Sequence, residues 1–355
     1  MSHGYQAVGW NRQKRRYDLC IGAGVALYLA LFVGLGAWLD PNVTAETLLI
    51  RGLGSLAFLM LHVVLSIGPL ARVDRRFLPF LYNRRHLGVS MFLVALAHAS
   101  FAVVQFHAFG DEHPLVSVLT ANRRYASLPD FPFEVLGLGA LAILFLMAAT
   151  SHDFWLANLS PRVWKGLHML VYLAYALLVG HVALGTLQAE RSPLLAGALG
   201  LGCAWIVGLH GLAGLRERAG DRESGRAGEW VDAGAVDDIP VGRARVLALG
   251  GERVAGFRHG VALSAISNVC RHQNGPLGEG RVVDGCVTCP WHGYQYRPED
   301  GCSPPPFTEK VPTYAVRLVE GRVLVEARAR PAGTWLQPAR VATEGRAGSG
   351  GERPG

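Results

Sequence analysis

Six long apolar stretches, separated by short polar segments, fill the first 214 residues of the chain. A helix needs about 20 predominantly apolar residues to cross the hydrocarbon core of a bilayer. The pattern therefore predicts six membrane-spanning helices, at residues 18–39, 49–70, 87–108, 133–151, 164–187 and 193–214. The first stretch is too long for a signal peptide and no small-residue cleavage site follows it, so we expect it to stay in the membrane.

The pattern changes after the last apolar stretch. Residues 215–229 are charged and glycine-rich, which predicts a linker. Between 230 and 328, short runs with β character are separated by Gly-Gly, His-Gly, Asp-Gly and Glu-Gly pairs, which favour tight turns. We therefore expect an α-helical membrane bundle followed by a small all-β domain. Residues 1–17 form the N-terminus, and residues 329–355, with few aliphatic side chains, predict a disordered tail.

The composition agrees with a membrane protein. Only 17% of the 355 residues are charged, against about a quarter in soluble proteins, and mean hydropathy is +0.25. Six cysteines are too few for a disulfide scaffold. The net charge is +7, and the arginines lie in short clusters between the apolar runs. We therefore expect no nucleic-acid partner.

Basic residues also indicate which way the helices cross. Lys and Arg in short loops remain on the cytoplasmic side of a membrane. They concentrate at the N-terminus, in the second and fourth loops and after the last span, whereas the opposite side carries Arg51, Arg123, Arg124 and Arg191. We therefore expect both termini and the all-β domain in the cytoplasm.

Two short motifs in the β domain carry metal chemistry. Cys-x-His at residues 270–272 and Cys-x-x-His at 289–292 each supply a thiolate and an imidazole, and a Rieske [2Fe–2S] centre needs two of each. The segments 270–281 and 289–296 resemble the two ligand loops of the Rieske family, and the likeness extends over 230–327. The resemblance implies that the cluster ligands are Cys270, His272, Cys289 and His292.

The sequence differs from some branches of the Rieske family, and these differences reduce the number of functions that we expect. Trp291 stands where quinol-oxidising Rieske proteins have an extra cysteine, and Tyr294 stands where they have a serine. Fewer hydrogen bonds to the cluster lower its potential, so we expect the lower part of the Rieske range, about −150 to +300 mV. No histidine follows His292, so a second, mononuclear oxygenase iron is not expected. The domain resembles the ferredoxin and oxygenase branch. A zinc site using Cys286 and Cys289 is the weaker alternative, because the second half of such a site lacks the spacing between ligands that is usual for zinc.

Four histidines lie at two depths of the predicted membrane region. His86 and His98 are twelve residues apart in the third span, about 18 Å along a helix, and His168 and His181 are thirteen apart in the fifth, about 20 Å. Both spans run in the same direction, so His86 lies level with His168 and His98 with His181. Two facing imidazole pairs suit two stacked b-type haems. We expect His62 and His210 to be buried structural residues.

Six spans with this histidine layout resemble the ferric reductase-like transmembrane family, which includes the membrane haem subunit of a periplasmic methionine sulfoxide reductase system. The likeness lies in Arg123-Arg124-Tyr125 and in segments 148–151 and 164–172. It implies haem ligation by His98, His168 and His181. The flavin and nicotinamide domain of many members is not expected, since no Gly-x-Gly-x-x-Gly motif opens a βαβ unit.

Together these features predict a membrane-bound electron-transfer oxidoreductase of the bacterial inner membrane. Single electrons would pass between a cytoplasmic Rieske cluster and two b-type haems. The expected partners are a cytoplasmic redox donor or the quinone pool, a periplasmic redox protein docking on the outer loop 109–132, and membrane lipid. Two alternatives remain open: a quinone-linked reductase that delivers electrons to a soluble partner, and a haem-free membrane-tethered Rieske sensor or binding module.

Overall fold

The chain divides into two compact units, Met1–Arg216 and Glu217–Gly355. The first unit is helical, and the second is built mainly from short β-strands. The computed structural model describes residues 12–128, 130–151, 155, 159, 161–185, 187–188, 192–224, 229–249, 251–272, 275–291, 293–305 and 307–341.

Helices account for most of the first unit. Within the described residues they are α1 (Arg12–Leu39), α2 (Ala45–Val73), α3 (Arg84–His107), α4 (Pro114–Thr120), α5 (Phe133–Thr150), α6 (Pro161–Met169), α7 (Val171–Leu184) and α8 (Pro193–Ser224). A 3₁₀ helix, Arg75–Asn83, joins α2 to α3.

Six helical segments are long and apolar enough to cross a membrane: Arg15–Leu39, Ala45–Val73, Arg84–His107, Phe133–Thr150, Val163–Leu184 and Pro193–Arg218. This finding confirms the six predicted spans. The fifth span combines α6 and α7, which meet at Leu170.

The bundle packs around α2, half of whose most apolar stretch is buried. Helix α2 lies along α3, and α5 lies along α7. Leu61, Ala140 and Ala174 have no exposed surface at the centre of the packed core. On the outside, large apolar side chains such as Leu27 and Leu201 are exposed, which suits helices surrounded by equally apolar lipid tails.

The described part of the second unit contains eleven strands. They are β1 (Trp230–Ala235), β2 (Ala244–Leu249), β3 (Glu252–His259), β4 (Ala262–Ser267), β5 (Arg281–Val283), β6 (Cys286–Thr288), β7 (Gln295–Tyr296), β8 (Thr313–Tyr314), β9 (Val316–Val319), β10 (Arg322–Glu326) and β11 (Ala339–Arg340).

These strands form three antiparallel sheets, in the orders β1-β10-β9, β11-β4-β3-β2 with β8 also paired to β4, and β5-β6-β7. The hairpins β5–β6 and β9–β10 turn at Asp284-Gly285 and Glu320-Gly321. Both residues of each turn have positive φ, as a type I′ turn requires. The Asp-Gly and Glu-Gly pairs therefore act as the sequence predicts.

Two buried clusters of apolar side chains stabilise this unit. One includes Val254, Leu263 and Val323 and lies between the first two sheets. The other includes Phe257 and Val287 and continues directly into the loops that carry the predicted cluster ligands.

The second unit extends beyond its predicted end. Residues 329–341 are ordered, because β11 pairs with β4 and the apolar side chains of Ala339 and Val341 pack on the first cluster. The tail prediction is therefore wrong for 329–341, while 342–355 lie outside the described residues. Similarly, α8 continues to Ser224, through most of the predicted linker.

Candidate functional site

Each predicted cluster loop closes on itself at its cysteine. Cys270 follows β4, and its backbone N–H donates to the carbonyl of Gly275 at 2.9 Å. Cys289 follows β6, and its N–H donates to the carbonyl of Tyr294 at 2.7 Å. Both cysteines are 1% exposed. The two loops therefore place their thiols in equivalent, buried positions.

Aromatic side chains pack against the predicted ligand His272. The ring of His272 stacks on Tyr294 with centres 4.9 Å apart and planes 8° apart. Tyr294 in turn contacts Phe307, and its hydroxyl donates to the carboxylate of Glu309. Burial raises the pKa of Tyr294, so the phenol stays protonated as a donor.

Tyr296 links the two loops through its hydroxyl. That oxygen accepts a bond from the backbone N–H of Arg271 at 3.0 Å and lies 3.4 Å from Sγ of Cys270. Burial raises the pKa of Tyr296, so its proton remains available to the sulfur. The phenol is thus placed to donate a hydrogen bond to a cluster thiolate.

The donor set fits a [2Fe–2S] cluster with mixed thiolate and imidazole ligands. A Cβ at Gly275 would lie 2.5 Å from Sγ of Cys289, so glycine leaves the space beside that sulfur open. The fourth predicted ligand, His292, lies outside the described residues. Among the described residues, no three His, Cys, Asp or Glu side chains converge on a metal-sized site.

Cys286, the cysteine of the zinc alternative, lies on β6 and has no disulfide partner. Burial, and after it the charge of Glu299, raises the pKa of the Cys286 thiol. A bound metal deprotonates a coordinating thiol, so this shift does not decide between the alternatives, and the zinc site stays the weaker prediction.

In the helical unit, the structure brings His98 and His181 together. Their ring centres are 6.3 Å apart, and the ring planes are nearly perpendicular. An iron bound by two imidazole nitrogens at about 2 Å each needs ring centres about 6 Å apart. The spacing of this pair fits a bis-imidazole haem.

Both rings are oriented in the same way. Nδ1 of His98 lies 2.9 Å from the carbonyl oxygen of Ile50 on α2, and Nδ1 of His181 lies 2.9 Å from that of Phe133 on α5. A carbonyl can only accept, so each Nδ1 carries the proton and each Nε2 keeps its lone pair. The hydrogen bond from Nδ1 to the carbonyl therefore fixes the tautomer whose Nε2 can bind a metal.

A glycine makes room for each of these rings. A Cβ at Gly54 would lie 2.9 Å from Nδ1 of His98, and a Cβ at Gly137 would lie 2.8 Å from Nδ1 of His181. Real Cβ atoms avoid such distances, so any larger residue would push the ring away from its carbonyl. Each glycine stands four residues after the accepting carbonyl, one turn along the same helix.

The other two predicted haem ligands lie apart from that pair. His168 on α6 stacks on Trp164, bonds its carbonyl at 3.0 Å through Nδ1, and has Nε2 3.4 Å from Oγ of Ser151. His86 on α3 has Nδ1 2.9 Å from a carboxylate oxygen of Asp18 on α1. The structure therefore directs His86 towards α1.

His62 and His210, which we expected to be structural residues, both have hydrogen-bond partners within the bundle. His62 contacts the carbonyl of Phe58 through Nδ1 and the hydroxyl of Tyr175 through Nε2. Nδ1 of His210 bonds the carbonyl of Ile206, and its ring lies against Tyr172.

An open cavity of about 880 Å³ lies at the end of α5 and α7 that carries His181. Its wall includes Phe133, whose carbonyl holds the His181 ring. Apolar side chains of the lining include Leu128, Phe131 and Leu184. Its polar and charged side chains are Asn122, Arg124, Asp130 and Gln188.

Comparison with known proteins assigns a family to each part of the chain. Residues 23–179 match the ferric reductase like transmembrane component, and residues 229–315 match the Rieske [2Fe-2S] domain. Over 181 residues the chain is 32% identical to the protein-methionine-sulfoxide reductase heme-binding subunit MsrQ of Caulobacter vibrioides, covering 49% of this chain and 80% of that protein. The chain belongs to both families.

The Rieske domain is related to oxygenase ferredoxins. It is 37% identical over 100 residues to the anthranilate 1,2-dioxygenase ferredoxin subunit of Burkholderia cepacia, covering 27% of this chain and 91% of that protein. It is also 31% identical over 104 residues to the ferredoxin component of the alkene monooxygenase system of Xanthobacter autotrophicus, covering 29% and 85%. The predicted resemblance to both families is confirmed, and the chain is an electron-transfer oxidoreductase with a multi-pass membrane domain.

Sequence reasoning missed several supporting residues. Gly54 and Gly137 are ordinary glycines within apolar runs, and nothing in their local sequence marks them as facing an imidazole. Tyr296 offered a signal, since it lies within the segment that resembles the second Rieske ligand loop.

Proposed function

We propose that this protein passes single electrons between a Rieske [2Fe–2S] cluster and two b-type haems of the same chain. The observation that carries the proposal is the His98–His181 pair, with ring centres 6.3 Å apart and both Nδ1 atoms directed at backbone carbonyls. With both Nδ1 atoms bonded to carbonyls, His98 and His181 would hold a haem iron through their Nε2 atoms. The relative from Caulobacter vibrioides, named as heme-binding, supports the same cofactor.

The residues have separate tasks in this proposal. His98 and His181 would hold the outer haem, and His168 would hold the inner one. The cluster would be held by Cys270, His272, Cys289 and His292. When bound, each centre supplies one-electron chemistry, while the protein sets its orientation and hydrogen bonding.

We further propose that the Rieske domain and both termini are cytoplasmic, in a bacterial inner membrane. The support is the concentration of Lys and Arg in the loops of one side. A cytoplasmic redox donor would then exchange electrons with the cluster, and a periplasmic protein would exchange them at the outer loops, beside the 880 Å³ cavity. A reporter enzyme active on one side only, fused to the C-terminus, tests this orientation.

A second candidate function is quinone-linked electron transfer. The cavity near His181 combines the rings of Phe131 and Phe133 with the amides of Asn122 and Gln188. Such a lining suits a flat molecule with apolar faces and polar oxygens. In that case a quinone analogue would inhibit haem reduction in the purified protein, and inhibitor sensitivity separates this candidate from the first.

The primary test is the ratio of haem b to cluster in detergent-purified protein, by reduced-minus-oxidised absorbance and electron paramagnetic resonance. We expect two haems per cluster. Cys289→Ser should abolish the cluster signal and stop haem reduction through the cluster, whereas Cys302→Ser, a control outside the ligand set, should retain both. A purified protein with a cluster but no haem would overturn the proposal and favour a membrane-tethered sensor or binding module.

A further inference from the structure

The membrane domain uses one arrangement twice. In the helix pair α2 and α3, Gly54 faces His98, and in the pair α5 and α7, Gly137 faces His181. In both pairs the imidazole bonds the carbonyl four residues before the glycine. The agreement in residue type, spacing and hydrogen bond indicates that the two pairs are structural repeats.

The repeat continues at a second level. Fourteen residues, close to four turns, return to the same face of a helix. Gly68 stands fourteen residues after Gly54, and Ser151 stands fourteen residues after Gly137. Arg84 stands fourteen residues before His98, and His168 stands thirteen residues before His181. These residues also meet: a Cβ at Gly68 would lie 3.2 Å from Nη1 of Arg84, and Oγ of Ser151 lies 3.4 Å from Nε2 of His168. Arg84 therefore holds, in the first pair, the place that His168 holds in the second.

His86 does not share that place. It stands two residues after Arg84, and two residues turn about 200° around a helix. Its Nδ1 is bonded to Asp18 of α1 at 2.9 Å. By contrast, the guanidinium of Arg84 is close enough to His168 for its charge to act on that ring.

We propose that Arg84, and not His86, faces His168 across the inner haem site. This inference rests on the proposed binding of two haems. A guanidinium is permanently charged and has donors but no lone pair to offer a metal. The inner haem would therefore have one protein imidazole, with a second coordination position beside a fixed cation. That position would accept a small anion such as cyanide, whereas two imidazoles close the outer haem.

The test is a cyanide titration of the oxidised, full-length protein in detergent, followed by absorbance and electron paramagnetic resonance. In the wild type, cyanide should convert about half of the haem, since one of two haems has the open position. Arg84→His should retain both haems and lower the convertible fraction at least tenfold, because the new imidazole closes the site and Gly68 leaves room for a ring as Gly54 does. His86→Ala should retain both haems and the wild-type titration.

Three results would overturn the inference: no cyanide binding in the wild type, conversion of both haems, or loss of a haem in His86→Ala. If Arg84→His does not accumulate, the wild-type titration and His86→Ala decide. A wild type without haem would instead overturn the proposed function, so the two failures are distinguishable.

Discussion

The two domains build their redox sites in opposite ways. In the Rieske domain, all four predicted ligands fall within residues 270–292, on two loops of one small β fold. In the membrane domain, His98 and His181 come from different helix pairs, and each depends on a carbonyl and a glycine of a further helix. A site built from adjacent loops can be identified from a motif, whereas a site built between helices depends on packing at several distant positions.

The largest expected effect separates the two sites completely. His181→Ala should remove the outer haem, about half of the total, because the remaining imidazole cannot complete the pair. The cluster signal should be unchanged. Haem content and electron paramagnetic resonance of the purified variant check both statements. His113→Ala, at an exposed position before α4, is the control, and unchanged haem content in His181→Ala would show that the two sites are not built as described.

A large effect is also expected in the β fold that holds the cluster loops. Gly301 has φ +65°, and a Cβ there would collide with the carbonyl oxygen of Val311. Gly285→Ala is the matched control, since φ is +76° and the space around it is open. Both variants carry the cost of placing alanine at positive φ. Overpacking should make Gly301→Ala less stable than Gly285→Ala by a further amount of about 1–3 kcal/mol. Denaturant midpoints for loss of the cluster absorbance measure the difference; equal midpoints would contradict it.

A smaller effect is expected from filling the space beside one haem ligand. Gly137→Ala should displace the His181 ring from the carbonyl of Phe133, at a cost of about 1–3 kcal/mol. That cost corresponds to roughly a 5- to 150-fold loss of haem affinity, with an altered haem spectrum. Gly139→Ala is the control, because its Cβ would lie 3.6 Å from Leu177, an ordinary contact. Identical haem content and spectra in the two variants would argue against the packing role of Gly137.

The smallest expected effect is on the reduction potential of the cluster and not on its binding. Tyr296→Phe removes the hydroxyl that lies 3.4 Å from Sγ of Cys270. A donor to a thiolate stabilises the reduced, more negative cluster, so its loss should lower the reduction potential by tens of mV, about 60 mV for each tenfold change. Tyr314→Phe, whose hydroxyl bonds Glu252, is the control. A redox titration monitored by electron paramagnetic resonance measures both, and an unchanged potential in Tyr296→Phe would exclude this role.

The Tyr296 contact also bears on the expected low potential of the cluster. That expectation counted the serine replaced by Tyr294 as a lost hydrogen bond to the cluster. The structure directs the Tyr294 hydroxyl to Glu309, in keeping with that loss, but adds the Tyr296 hydroxyl at Cys270. The potential therefore depends on one donor that the sequence comparison had not included.

The sequence by itself determined the six apolar spans, the β domain, its tight turns and the two motifs of the cluster loops. These features depend on local properties: the length of an apolar run, the φ preference of Gly, and ligand types at short spacing. Helical spacing also placed His98 level with His181.

Only the tertiary structure decided what each imidazole faces. The sequence interval between His86 and His98 suited a second ligand, but depth along a helix does not specify direction around it. The contact of His86 with Asp18, the approach of Arg84 to Gly68 and the fit of Gly54 and Gly137 all depend on helix packing. The order of residues 329–341 likewise depends on the exposed edge of β4, which exists only once the sheet has formed.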